Sequence, residues 1–393
     1  MNNATFLEKL LDLSADQAGG AEACLSGRQV VWVSLGNDQF FEIANRGRRP
    51  VKASLRIPGE TPYHGANNVQ DHVEGHTHDG EFVLIAEDGS ASLEQYSIQY
   101  VVGKFWANNH VHVVGGKGSV NTRYLYHLLC TVNFIPFLSG GGRAKLTKGK
   151  LVEIPIPIPC PENPEKSLAI QAEIVRILDT FTELTAELTA ELTARKKQYD
   201  YYRDQLLTFK DGEVEWKTLG EVYKFQYGMG NTIPTLGGEY PIYGSNGIVG
   251  AHNEFNSEDS PVIGHIGAYA GIVNWGKGKH FVTYNGVICR LISERVSSKY
   301  AYYQLLKQDF NSMAKSASHP FVSYAELNKV LIPIPSPSEQ VRIVAILDQF
   351  DTLTHSISEG LPREIELRQK QYEYYRDLLL NFPKSEPQTE IVA

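Results

Sequence analysis

The sequence predicts an α+β protein: two mixed α/β domains separated by two long antiparallel coiled-coil-like helices, with an internal pseudo-twofold repeat. Three observations predict it. The chain is written twice. Each half opens with short apolar runs punctuated by Gly, Asn and Asp. Each half then closes with a long stretch whose apolar residues recur every three or four positions.

The repeat comes first because it decides the architecture. "VVWVSLG" (30–36) returns as "VEWKTLG" (214–220), and "TPYHGANN" (61–68) as "YPIYGSNG" (240–247). "FWANNHV" (105–111) returns as "FVTYNGV" (281–287), and "LVEIPIPIPCP" (151–161) as "KVLIPIPSPSE" (329–339). "IQAEIVRILDTF" (170–181) matches "EQVRIVAILDQF" (339–350), and "QYDYYRDQLL" (198–207) matches "QYEYYRDLLL" (371–380). The order is kept throughout.

The domain boundaries follow from the repeat. An N-terminal domain spans 1–155, with a leading helix fragment, and a first spacer helix region 156–210. A second domain spans 211–331, and a second spacer region with the C-terminal tail 332–393. Runs such as "EFVLIAEDGS" (81–90) and 260–292 read as short strands. A helix follows them at 121–134 and 297–310. The alternating prolines of "IPIP" forbid both a helix and a central strand, so an extended, stiff connector is expected there.

The spacer comes next. Ile174, Ile177, Leu178, Phe181, Leu184, Leu188 and Leu192 mark one helical stripe through the "TAEL" repeats, with Tyr199, Tyr202 and Leu206 beyond. A second helix is expected from Glu339 to Leu380, interrupted at "EGLP" (359–362). A single apolar stripe of this length has to be buried, and the cheapest partner is the other copy.

Composition excludes several classes. No run of eighteen apolar residues provides a membrane span, and "MNNATFLEKLLDLSADQ" lacks the regions of a signal peptide. Cys24, Cys130, Cys160 and Cys289 form no CxxC pair, which fits free thiols in a reducing cytoplasm and excludes a cysteine zinc finger. The net charge of −8 speaks against coating DNA by charge alone, but leaves room for local basic patches.

Catalytic constellations are missing. "GIVNWGKG" (271–278) has phosphate-loop spacing, but Gly278 stands where Ser or Thr would hold magnesium, and no helix follows it. There is no GxGxxG opening a helix, no GxSxG and no methyltransferase-like NPPF. His76 with His78, and His110 with His112, have strand spacing a metal could use, but no clear third ligand, so no metal is expected.

Binding features are better represented. Arg46, Arg48, Arg49, Lys52 and Arg56 fall in one Gly/Pro-bearing loop, and Arg143, Lys145, Lys148 and Lys150 in another. The second half offers Lys277, Lys279, Lys315 and His319. Arg and Lys clamp phosphates, and Asn reads adenine. Asn67, Asn68, Asn108 and Asn109, with Asn246 and Asn285, suit base edges; Tyr63, Tyr243 and Ser245 lie in the same repeated segments. On the helices, Tyr199, Tyr202, Arg203, Tyr372, Tyr375 and Arg376 are candidates for docking a partner. The residues alone also admit a duplicated metal- or ligand-binding enzyme, or an assembly scaffold that does not bind DNA.

The stretches 156–207 and 332–380, with the "TAEL" units and "GLPREIELRQKQYEYYRDLL", resemble the specificity subunit of type I restriction–modification systems, in particular the type IC branch. The resemblance covers essentially the whole chain. It implies two target-recognition domains, each reading half of a bipartite site in double-stranded DNA, joined by spacer helices. It further implies docking of two modification subunits, which hold S-adenosylmethionine, and of restriction subunits, which use ATP and Mg. The chain itself would hold no cofactor and catalyse nothing. One departure stands out: "LSADQAGGAEACLSGRQ" precedes "VVWVSLG", and the corresponding join in the second half is shorter.

Overall fold

The computed structural model describes residues 30–140, 144–313, 320–356 and 358–382. They form two compact units. The first takes the described residues up to Ala186 and from Glu366 onward; the second takes Glu187–Ile365. The leading helix fragment and the extra Ala/Gly segment lie outside the described residues.

The first unit contains β1 (Val30–Ser34), β2 (Phe41–Ile43), β3 (Pro58–His64), β4 (Val69–Val73), β5 (His78–Ala86), β6 (Ile98–Ala107), β7 (Val111–Gly116), α1 (Thr122–Leu129) and β8 (Pro155–Pro159). Six strands form one sheet in the order β2-β7-β5-β6-β3-β4. It is antiparallel except that β3 runs parallel to β6. The helix α2 (Pro164–Leu206) begins in this unit and ends in the second.

The second unit repeats the plan strand for strand. It contains β9 (Glu215–Thr218), β10 (Tyr223–Tyr227), β11 (Tyr240–Gly244), β12 (Gly247–His252), β13 (Ser257–Gly264), β14 (Val273–Val282), β15 (Gly286–Leu291), α3 (Ser298–Lys307) and β16 (Leu331–Ile334). Its sheet order is β10-β15-β13-β14-β11-β12, with β11 parallel to β14. The chain closes with α4 (Pro337–His355) and α5 (Gly360–Leu380).

Both faces of the central strands are covered, so these strands read as continuous apolar runs. Val83 and Ile85 of β5 face the cluster that holds α1, while Leu84 faces Val101, Phe105, Val111 and Val113. Ile263 and Val262 of β13 divide in the same way. The β5–β6 hairpin bends where Gly80 pairs with Gly103, at φ +143° and +82°, conformations that L side chains rarely adopt.

The "IPIP" segments are extended, as the prolines require, but they are not free connectors. β8 pairs antiparallel with β1, and β16 with β9. In such a ladder every second residue points its N–H and C=O away from the partner. Prolines at every second position therefore lose no ladder bond. The outward carbonyls find other donors: the Tyr124 hydroxyl donates to Pro157 O (3.1 Å), and the Tyr300 hydroxyl to Pro333 O (2.9 Å).

At about 1.5 Å per residue, the 43 residues of α2 span roughly 65 Å. In the first unit Ile170, Ile174 and Leu178 are buried, and Phe181 stacks on Tyr375 of α5 at 5.2 Å. In the second unit Tyr199 lies against His355 and Phe350, and Tyr202, a turn further on, against Phe350. There α2 and α4 run in opposite directions. The second helical region breaks between His355 and Gly360, as "EGLP" predicted. At Gly360 φ is +74°, and a Cβ would sit 2.3 Å from Thr352 O. The expectation of free thiols throughout needs correction. Cys130 and Cys289 are free, but Cys160 is disulfide-bonded. No helix among the described residues is long and apolar enough to cross a membrane.

The repeated "QYxYYRDxLL" ends have one job. Leu207 is fully buried in the second unit's core, and Leu380 with Phe382 is buried in the first's. Truncating either leucine to Ala leaves a cavity that costs about 2–5 kcal/mol. Leu207→Ala and Leu380→Ala should each lower the calorimetric melting transition clearly, whereas Leu367→Ala, at an exposed site, should shift it little.

Four buried histidines set the pH response. Burial holds His64, His112, His127 and His280 below their usual 6.5, against bonds from Gln99, Leu146 O, Asp179 and Gly278 O respectively. The unfolded chain therefore takes up protons at these positions before the folded one does, and stability falls as the pH drops below 6.5. Melting should be steady from pH 8 to 7 and lower at pH 5.5; a transition that rises on acidification contradicts this.

Candidate nucleic-acid interface

In the first unit, backbone bonds draw the candidate loops to one end of the sheet. Arg49 N donates to Ala107 O (3.0 Å), Asn108 N to His64 O (3.2 Å), and Gly65 N to Asn68 O (2.9 Å). Lys145 pairs with Glu87 at 2.9 Å, and Glu87 N donates to His110 O at 2.8 Å. Arg46, Arg48, Arg49, Asn67, Asn68, Asn108, Asn109 and Lys145 thus belong to neighbouring loops, although they lie up to a hundred residues apart in sequence.

They are not equally available. Arg46, Arg49, Lys52, Asn68 and Asn109 are exposed. Arg48 is a strut: it pairs with Glu87 (2.6 Å) and donates to Val111 O and Asn45 O. Burial alone would raise the Glu87 carboxyl, but hydrogen bonds from Arg48 and Lys145, and the charge of His112, hold it below the ordinary range. Two of the expected cations are therefore balanced by one carboxylate. Arg56 lies over the Tyr63 ring at 4.1 Å and pairs with Asp71. Tyr63 is only 2% exposed, and its hydroxyl accepts from Val51 N. Asn108 is buried, its Oδ1 accepting from His110 N. The Asn67 amide brackets the neighbouring loop through Gly89 O, Ala91 N and Ser97 Oγ. Tyr63 and Asn108 are core groups that the sequence pattern could not separate from surface ones. Arg143 lies outside the described residues.

The second unit builds the same end with other chemistry. Thr283 N donates to Tyr243 O, Tyr284 N to Gly230 O, and His265 N to Asn285 O. Asn246 is exposed, while Ser245 and Asn285 are half-buried. Tyr243 is buried, its hydroxyl donating to Trp275 O. Lys277 and Lys279 are exposed but stand apart along β14, Lys279 opposite Glu258 and over the Phe255 ring. Lys315 and His319 lie outside the described residues. In their place stands an aromatic cluster: Tyr227 packs on Tyr324 (4.0 Å) and His265 (4.2 Å), with Tyr284 beside it and 44% exposed. Met229, Ile233 and Leu236 are exposed on the adjoining loop. Sequence reasoning missed this cluster because its members are scattered and share no motif.

On the helices the expectation for Tyr199 is corrected: it is 4% exposed, packed on Phe350 and His355. Tyr202 and Tyr375 stack on Phe350 and Phe181, and Tyr372 is half-buried. Arg203 pairs with Asp200 and Asp204, and Arg376 with Asp377. The outward tyrosines are Tyr201 (62% exposed) and Tyr374 (50%), at the same place in each repeat.

Three of the four paired histidines are engaged in other bonds. His78 Nε2 donates to Ala44 O and its Nδ1 bonds Thr77 Oγ1, His110 pairs with Asp88, and His112 bonds Asn45 and Leu146 O. Among the described residues no group of three His, Cys, Asp or Glu could hold a metal ion.

Comparison with known proteins agrees with this geometry. Residues 30–195 and 212–367 each match the type I restriction modification DNA specificity domain. A putative type I restriction enzyme specificity subunit from Haemophilus influenzae is 46% identical over 408 aligned positions, covering 97% of this chain and 99% of that protein. A type I restriction enzyme specificity subunit from Escherichia coli is 47% identical over 264 positions, covering 59% of this chain and 64% of that one. In fold, the chain is similar to the crystal structure of a type I restriction–modification S subunit from M. genitalium, with a TM-score of 0.63 and 17% identity, over 91% of this chain and 97% of that one. With one specificity domain matched in each half and a specificity subunit aligned along nearly its whole length, the chain belongs to the type I restriction–modification specificity subunit family.

Proposed function

We propose that the chain supplies the address of a type I restriction–modification complex: each unit reads one half of a bipartite site in double-stranded DNA, and the spacer helices dock the partner subunits. The observation that carries this reading is the duplication itself. Two domains of one strand order, each matching the specificity domain, share the single continuous helix α2. Two similar surfaces on one spacer suit two modification subunits, with Tyr201 and Tyr374 as the exposed docking aromatics. S-adenosylmethionine would belong to those partners, and ATP and Mg to the restriction subunits.

In the first unit Arg46, Arg49 and Lys52 are the phosphate clamps, with Asn68 and Asn109 at the base edges. In the second, Asn246 and Asn285 flank the aromatic cluster, and Lys277 and Lys279 contact the backbone further out. Lys145 contributes a charge already shared with Glu87.

Two expected outcomes test this. Each lost phosphate contact removes about 0.9 from the slope of log affinity against log salt. Arg46→Ala, Arg49→Ala and Lys52→Ala together should shallow the slope of the assembled complex by about 2 to 3, while Arg48→Ala should chiefly lower stability. An unchanged slope shows that the loop is merely solvated.

The second outcome concerns the spacer. One "TAEL" unit adds about 6 Å of helix and turns it by about 40° beyond a full turn. That is between one and two base-pair steps of about 3.4 Å, and one step is expected once tilt shortens the reach. In α2, Leu184, Leu188 and Leu192 are half-buried, and most residues between them are exposed, so removing four residues keeps the stripe in place. Deleting Thr189–Leu192 should leave both half-site sequences intact and shorten the gap between them by one base pair, read by methylome sequencing. An unaltered gap, or changed half-site bases, rejects the ruler.

A further inference from the structure

We propose that each unit carries a polar latch between its DNA-reading domain and the spacer helix, and that these two latches fix the helix angle and so the gap length the complex accepts. This rests on the bipartite reading above.

The latch occurs twice, at equivalent positions. In the first unit Asp179 of α2 accepts from Arg123 Nε (3.0 and 3.1 Å to its two oxygens) and from His127 Nε2 (2.8 Å), both on α1. The Arg123 guanidinium lies 4.3 Å from the Tyr100 ring centroid, on β6. In the second unit Asp348 of α4 accepts from Lys299 Nζ (3.2 Å) and the Tyr303 hydroxyl, both on α3. Lys299 lies 4.8 Å from the Trp275 ring centroid, on β14. Each latch is therefore a three-layer stack: sheet aromatic, helix cation, spacer carboxylate.

A second pair of contacts locks each junction about two turns nearer the helix start. Gln171 and Gln340 are buried. Gln171 Oε1 accepts from Asn121 N (2.8 Å), and its Nε2 donates to Ser119 O (2.7 Å). Gln340 Oε1 accepts from Ser297 N (2.8 Å), and its Nε2 donates to Arg295 O (3.1 Å). Asn121 and Ser297 are the N-cap residues of α1 and α3. The buried amide of the spacer thus grips the cap of the domain helix, and the carboxylate grips its first and second turns.

Apolar packing alone would hold these helices together, since it is non-directional and tolerates small rotations. Two hydrogen-bonded points about two turns apart do not. The leverage is large: on a helix about 65 Å long, a turn of about 3° at one end moves the other by about 3.4 Å, one base-pair step. The "TAEL" units would set the length of the ruler, and the latches its angle. Asp179, Asp348, Gln171 and Gln340 are then positioning residues that never touch DNA.

The test uses the full complex in a host, with methylome sequencing scored at the native gap and at gaps one base pair longer and shorter. For Asp179→Asn and Asp348→Asn the half-site bases should stay the same, and methylation at off-length gaps, relative to the native gap, should rise about tenfold. Asp179→Glu should restore stringency. Arg123→Met, which loses the charge and both bonds, should relax it in the same direction as Asp179→Asn. Variants that methylate only the native gap, at any level, overturn the latch, as does failure of all of them to assemble, which would make these contacts merely structural. A wild-type methylome without a two-part motif would instead overturn the bipartite reading.

Discussion

The structure depends on one burial requirement. A helix of 43 residues with an apolar stripe along it cannot stand alone in water. The first unit covers its part of α2 with residues from the far end of the chain: Leu178 shares a cluster with Leu380 and Phe382. The second covers Tyr199 and Leu207 with Ile343 and Leu347 of α4. Each core is therefore assembled from both spacer regions, and the first unit is not a continuous piece of sequence. This explains why the spacer sequence is repeated more faithfully than the domains. The packed residues of "QYxYYRDxLL" meet similar surroundings twice: Tyr202 stacks on Phe350 as Tyr375 does on Phe181.

The proline segments serve that requirement. An edge ladder of alternating prolines cannot recruit a further strand on its proline side, so β8 and β16 end their ladders. Their outward carbonyls are taken by Tyr124 and Tyr300 from the domain helices. The chain thus passes from strand to spacer helix at a defined angle, with no loose linker between reading domain and spacer. The buried glutamines and the paired carboxylates complete the same junction a few turns later. Prolines, tyrosines and amides stiffen this point in place of a larger core.

Much of this was legible beforehand. The duplication, the strand-rich first part of each half, the domain helices, the long spacer helix and the break at "EGLP" all follow from periodicity and punctuation. Burial of individual polar residues did not follow. Tyr63 and Tyr199 look like surface aromatics in a linear reading, yet one lies under Arg56 and the other under Phe350. Arg48 reads as a phosphate clamp until Glu87, thirty-nine residues away in sequence, claims it. The latch was invisible for the same reason: Asp179 and Asp348 are ordinary helix carboxylates until α1 and α3 are folded against them. Sequence pattern reports which face a residue takes along its own element, and it is silent about what another element brings to that face.

The equivalent ends of the two domains show how one backbone carries two different surfaces. Glu87 N donates to His110 O in the first unit, and His265 N to Asn285 O at the equivalent place in the second; Leu146 N donates to Glu87 O, and Val322 N to His265 O. The scaffold is the same, and the side chain mounted on it differs. Around Glu87 it gathers Arg48, Lys145 and His112, a charged and fully paired network. Around His265 it gathers Tyr227, Tyr284 and Tyr324. The first end is left with the exposed cations Arg46, Arg49 and Lys52. The second exposes Tyr284, with Met229, Ile233 and Leu236 on the adjoining loop. Backbone bonds set the path of these loops in both units, while the side chains mounted on them differ. The spacer cannot change so freely, because its side chains are the core.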